Sequence, residues 1–134
     1  MTTSIPTLQW SESEPPVEIL SGEQLDGLLD NLTASSRSDF PSAVELQAHG
    51  FSVHILLSLA ESFVYVNDQE HCQEWITVGN PKKEGTVNFW LLGQHHTEFN
   101  CSHLVPMSTA RRIVREFFDT GQRSQAVTWK ESCY

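Results

Sequence analysis

Trp75-Ile76-Thr77-Val78-Gly79-Asn80-Pro81-Lys82-Lys83-Glu84-Gly85-Thr86-Val87-Asn88-Phe89-Trp90-Leu91-Leu92-Gly93-Gln94-His95-His96-Thr97-Glu98-Phe99 reads as three short strands separated by two turns. Trp75, Ile76, Val78, Val87, Phe89 and Trp90 are β-branched or aromatic side chains that suit a pleated, half-buried surface. Gly79-Asn80-Pro81, Lys82-Lys83-Glu84-Gly85 and Gly93-Gln94 supply turn chemistry between them. The stretch is expected to form the middle of an antiparallel sheet, and nothing in it has the spacing of a catalytic motif.

Upstream, the pattern predicts a helix and three strands. Val17-Glu18-Ile19-Leu20 alternates like a short strand, and Ser21-Gly22-Glu23-Gln24 has the form of a capping box, with Leu20 and Leu25 spaced for a hydrophobic staple. The helix that follows places Leu25, Leu28, Leu29 and Leu32 on one face. After a polar connection at 33–41, residues 43–47, 51–59 and 63–66 are expected as strands in meander order, closed first by a turn at His49-Gly50. The run 51–59 is the candidate central strand, although periodicity alone fits a buried helix as well. Residues 1–16 mix Ser, Glu and Pro around a Leu-Gln-Trp and are expected as a loose arm, with the domain proper spanning 17–131.

Downstream, Ser108 is the expected cap of a second helix with Ala110, Ile113, Val114, Phe117 and Phe118 on one face, ended by Gly121 in a left-handed conformation. Its other face carries Arg111, Arg112 and Arg115, which is expected as a solvated face, with Glu116 and Asp119 spaced to pair with Arg112 and Arg115. Residues 126–129 form a last strand before a polar tail. The architecture is therefore α+β, a mainly antiparallel twisted sheet with two amphipathic helices packed on it.

The ordered series Trp75-Ile76-Thr77-Val78-Gly79-Asn80-Pro81, Val87-Asn88-Phe89, Thr97-Glu98-Phe99, Leu104-Val105-Pro106, Arg115-Glu116-Phe117, Thr120-Gly121 and Val127-Thr128-Trp129 is similar to the pattern of immunity protein family one (Imm-one) of bacterial polymorphic toxin systems. The series runs in order from residue 75 to residue 129 of the 134. Residues 1–66 follow it only in their general layout, and His95-His96 and the three cysteines are not part of it. The resemblance implies a non-enzymatic antitoxin that binds a cognate toxin domain, one to one, and blocks its active site. It also implies that such toxins often modify nucleic acid, DNA cytosine deaminases among them.

Composition bears on the same question. The 134 residues include four Trp and seven Phe, enough apolar mass for one buried core. No apolar run approaches the length of a membrane span, and the amino terminus lacks a cationic start and an apolar signal core, so a cytoplasmic protein is expected. Three cysteines, Cys72, Cys101 and Cys133, at unrelated spacings fit a reducing compartment. Residues 1–81 hold twelve acidic side chains against the single basic Arg37, whereas residues 82–134 hold five against seven. That imbalance disfavours nucleic acid as a direct partner and favours a basic protein.

The candidate toxin-facing residues are Asp68, Glu70, Glu74, Glu84 and Glu98, with His71 and Trp90 as anchors, because an acidic loop at 67–74 offers charge without packing value. Trp75, Trp90 and Trp129 otherwise read as core residues of strands. His71, Cys72, His95, His96, Cys101 and His103 lack the spacing of a zinc site, and no Gly-x-Ser-x-Gly elbow is present, so no metal, cofactor or catalytic residue is expected. The competing readings are an acidic binding module or chaperone for some other basic protein, and a metal-dependent enzyme.

Overall fold

The structure, a computed structural model, describes residues 5–37, 39–68 and 70–133, the side chain of Cys133 excepted. Strands β1 (Thr7–Gln9) and β2 (Val17–Glu18) precede helix α1 (Gly22–Ala34). Strands β3 (Ser42–Ala48), β4 (Phe51–Leu56), β5 (Glu61–Ser62), β6 (Val64–Asp68) and β7 (Gln73–Val78) follow, then a hairpin of β8 (Thr86–Leu91) and β9 (His95–Asn100). A short 3-10 turn (Cys101–His103) leads to β10 (Val105–Pro106), helix α2 (Met107–Thr120) and β11 (Thr128–Cys133). The fold is α+β, as the pattern predicts.

The main sheet runs β11-β7-β6-β4-β3-β1-β2, and every neighbouring pair along it is antiparallel. β4 sits at its middle, where the run 51–59 is expected to lie. β3 and β4 are joined through His49 and Gly50, whose φ angles of 54° and 83° are what a two-residue hairpin needs to match strand twist. The hairpin β8–β9 joins the sheet by a single short parallel contact, Ser42 and Ala43 of β3 against Trp90 and Leu91 of β8. The stretch 75–99 therefore does form three strands, but they do not follow one another across the sheet. β7 pairs with β6 and β11, while β8 and β9 fold away from it.

Alternation along the strands explains the layering. Val44, Leu46, Val53, Ile55, Val64, Val66 and Trp75 point to one face and pack with Leu25 and Leu29 of α1 and Ala110, Ile113, Val114 and Phe117 of α2. Burial of each such Val, Leu, Ile or Phe side chain contributes about 1.5–3 kcal/mol. Ala43, Leu56 and Phe63 point to the other face, where Phe89 of the hairpin completes a second, smaller core. Phe63, Phe89 and Phe99 meet there with ring centroids 4.8–5.1 Å apart. At that end the sheet is covered on both faces, and this is why the run from Phe51 lacks strict polar alternation.

Several local expectations change. Thr7–Gln9, within the stretch read as a loose arm, is a strand between β2 and β3, because Leu8 (1% exposed) fills the core; residues 1–4 of that stretch lie outside the description. Half of the capping box forms: Gln24 N–H donates to Ser21 Oγ at 3.1 Å, but the Gln24 side chain accepts from Leu20 N–H and donates to the Glu18 carbonyl instead of returning to Ser21. No staple forms, since Leu20 is 76% exposed and Ile19 takes the buried place beside it. α2 starts one residue before Ser108, at Met107, with Pro106 as its cap. Gly121 ends it with φ 76°, donating to the Phe117 carbonyl at 2.8 Å. Of the polar tail, residues 130–133 belong to β11, and Tyr134 lies outside the described residues.

The arginine face is not simply solvated. Arg111 reaches Asp30 at 2.9 Å and the Asp26 carbonyl at 3.0 Å, and Arg115 reaches Asp26 at 2.6 Å and Asp119 at 3.1 Å. The two side chains clasp α1 to α2. Arg112 stays exposed and makes no ion pair among the described residues.

Candidate functional site

The helices cover one face of the sheet and the hairpin covers only part of the other. What remains is a polar platform built by the same alternation that builds the core. Register places Gln47, Ser52, Asn67, Glu74 and Ser132 in one cross-strand row and Glu45, His54, Tyr65, Ile76 and Lys130 in the next. Side chains directly opposite in such rows stand within reach of one another.

Most of these groups are hydrogen-bonded to each other. His54 Nε2 meets Glu45 Oε2 at 2.8 Å, and Gln47 Nε2 donates to Glu45 Oε1 at 2.8 Å and Ser52 Oγ at 2.9 Å. The His54 ring stacks on Tyr65 with an interplanar angle of 5°. The Tyr65 hydroxyl donates to Glu74 Oε2, and Ser132 Oγ donates to Glu74 Oε1 at 3.2 Å. The His54 ring bonded to Glu45, with the Gln47 amide beside it, holds the Glu45 carboxyl below the usual carboxylate range despite partial burial. The platform thus keeps the Glu45 carboxylate ionised and holds Glu45 and Glu74 in fixed positions by hydrogen bonds.

The turn between β6 and β7 stands at the end of these rows. Asp68 is only 8% exposed, and it accepts from the His71 amide at 3.2 Å and pairs with the His71 ring at 2.7 Å. Burial would raise the Asp68 carboxyl, but the bonds from the His71 ring and amide outweigh it and hold the group below its ordinary range. The same bond, with the carboxylate charge, raises the His71 imidazole. Asp68 is therefore a positioning residue that shapes the turn, and the turn presents Glu70 and His71 to solvent.

Trp90 and Glu98 lie elsewhere. Along the hairpin Val87, Phe89 and Leu91 face inward, so Trp90, His96, Asn88 and Glu98 share the outer face. Trp90 is not a core residue: it stacks on half-exposed Phe40 at 4.3 Å and meets His96 at 5.2 Å. Glu84 is exposed in the connection from β7 to β8. The structure thus brings Glu70, His71 and Glu74 together beside the platform and places Trp90 and Glu98 together on the hairpin, with Glu84 apart from both sets.

Sequence reasoning missed Glu45, His54 and Tyr65. The available signal was polar side chains at alternate positions of three successive strands, Glu45/Gln47, Ser52/His54 and Tyr65/Asn67. The histidines and cysteines considered as metal ligands are dispersed, His95 against Glu12, His96 against Asn88 and His103 against the Thr77 carbonyl. Among the described residues no three metal-ligating side chains converge. No helix among them is long and apolar enough to cross a membrane.

Residues 13–131 match the family model described as Immunity protein Imm1. No curated protein matches the chain.

Proposed function

Because the chain belongs to the Imm1 immunity protein family, we propose that it protects a cell by binding a cognate toxin domain, one to one, and covering the toxin's active site. The observation that carries the electrostatic part of this reading is the state of the carboxylates. Asp26, Asp30, Asp39, Glu45, Glu61 and Asp68 are taken up by Arg, Lys or His within the chain. Glu70, Glu84 and Glu98 are exposed and make no ion pair among the described residues. Their charge is available to a basic partner.

A toxin that acts on nucleic acid needs a cationic groove, and an acidic surface occupies such a groove as phosphate would. A cytosine deaminase acting on DNA is one toxin of this kind. The toxin-facing surface in this proposal is the platform with Glu74, the turn carrying Glu70 and His71 on its Asp68 hinge, and the flanking Glu84, Trp90 and Glu98. The chain acts in the cytoplasm and by binding, without catalysis or cofactor.

The test is co-expression with the cognate toxin domain, scored by survival and by recovery of the complex. Rescue with a stable one-to-one complex is the expected result. Glu70→Lys, Glu84→Lys and Glu98→Lys together should slow association and weaken rescue without altering the fold; unchanged affinity at low salt would remove these residues from the interface.

A further inference from the structure

On the helix side of the sheet, beyond the end of α2, the connection 121–127 stands off the strands and leaves a cleft of about 600 Å³. Its walls are Phe51, Phe117, Trp75 and Trp129. The chain carries 17 acidic side chains against 8 Lys and Arg, yet the one charged residue among those lining the cleft is a cation, Arg123. Its guanidinium lies 4.2 Å from the centroid of the Trp75 ring and 5.9 Å from that of Trp129, and it makes no ion pair among the described residues. Glu131 is the cross-strand neighbour of Trp75, but it takes a bond from Gln73 and does not line the cleft.

A second observation concerns the indoles. Trp129 Nε1 donates to the Ser124 carbonyl at 2.8 Å, so its donor is used. Trp75 is more than nine-tenths buried and its Nε1 has no partner. A buried donor without an acceptor is uncommon and costly in folded proteins. Aromatic walls with a small number of polar or charged groups are the usual make-up of a small-molecule site, and the volume falls in the usual range.

We propose that this cleft is a binding site for a small aromatic carboxylate, its ring against the Phe and Trp walls, Trp75 among them, and its carboxylate on Arg123. The Arg123 guanidinium sits over the Trp75 ring and makes no ion pair among the described residues, and a guanidinium suits bidentate contact with a planar anion. The site is on the face opposite the platform and stands independently of toxin binding.

The experiment is a titration of the ¹⁵N-labelled full chain with phenylacetate, following the four indole N–H resonances, with Trp75→Phe used to identify the Trp75 signal. The expected result is a saturable shift of the Trp75 resonance, larger than those of Trp10 and Trp90, with a dissociation constant in the low millimolar range or tighter. Phenylacetamide, which has the same shape without the charge, should bind about ten-fold more weakly, and so should phenylacetate to the Arg123→Met variant. Arg123 is exposed, so this variant leaves the fold intact. No saturable shift at Trp75, equal binding of the amide, or undiminished binding by Arg123→Met would each overturn the assignment.

Discussion

Replacing Gly79 by Ala tests how the outer strands are tied down. A Cβ built on Gly79 would lie 1.8 Å from the Leu104 carbonyl oxygen and 2.9 Å from its carbon, so the two backbones must separate by more than an ångström to reach ordinary contact. Neither side is a flexible side-chain tip. Three hydrogen bonds close this junction: Gly79 N–H to the Ser102 carbonyl at 2.8 Å, Thr77 Oγ1 to the His103 carbonyl at 3.0 Å, and His103 Nδ1 with the Thr77 carbonyl at 3.0 Å. If the separation breaks all three, at about 1 kcal/mol net each, the loss is about 3 kcal/mol. For a chain of this length that corresponds to a fall in Tm of about 10 °C. Urea denaturation, followed by far-ultraviolet circular dichroism, should show a lower midpoint with an unchanged slope. A loss below about 0.5 kcal/mol, the level of an ordinary surface substitution, would refute the reasoning.

Other perturbations address the clasp, the turn and the platform. Gly22→Ala places a Cβ 2.2 Å from the Arg115 guanidinium carbon, so it should destabilise the wild type by displacing the clasp, worth about 1 kcal/mol at this half-exposed site. In an Arg115→Ala background the same change should become neutral or stabilising, because Ala is the better helix former; additive effects in the double-mutant cycle would contradict the clasp. The Asp68–His71 pair should be strongest between the ordinary pKa values of the two groups, 3.8 and 6.5. Raised in the folded state, His71 contributes fully below 6.5 and loses its contribution as pH rises through its folded value; lowered, Asp68 contributes above 3.8 and loses its contribution as pH falls through its folded value. An NMR titration of Asp68→Asn should return the His71 midpoint toward 6.5, and an unmoved midpoint would dismiss the pair. Tyr65→Phe removes the hydroxyl that donates to Glu74 and should cost about 1 kcal/mol in stability while raising the rate of toxin dissociation; an unchanged rate would exclude this part of the platform from the complex.

The parts of this fold that were legible in the sequence are those set by near neighbours along the chain. The Ser21 cap, the Gly121 terminator, the His49-Gly50 turn and the apolar stripes of both helices rest on contacts within about four residues, where spacing is sufficient. The strands at 75–99 were legible for the same reason. Their partners were not, because pairing is chosen by which apolar face must be covered, and Phe89 and Phe99 find theirs far upstream, against Ala43, Leu56 and Phe63.

The site shows the same division. Sequence alone determined an α+β chain, an acidic first part, a charged turn at 67–74 and a family pattern through its second half, since composition, period and local turn chemistry are properties of the chain itself. Tertiary structure alone decided that Asp68 is buried as a brace, that Trp90 stands outside the core, that Arg111 and Arg115 bind helix to helix, and that Glu45, His54, Tyr65 and Glu74 share one surface. The reason is that burial and pairing depend on strand register across 9 to 58 residues, and no local signal encodes which distant side chain will stand opposite.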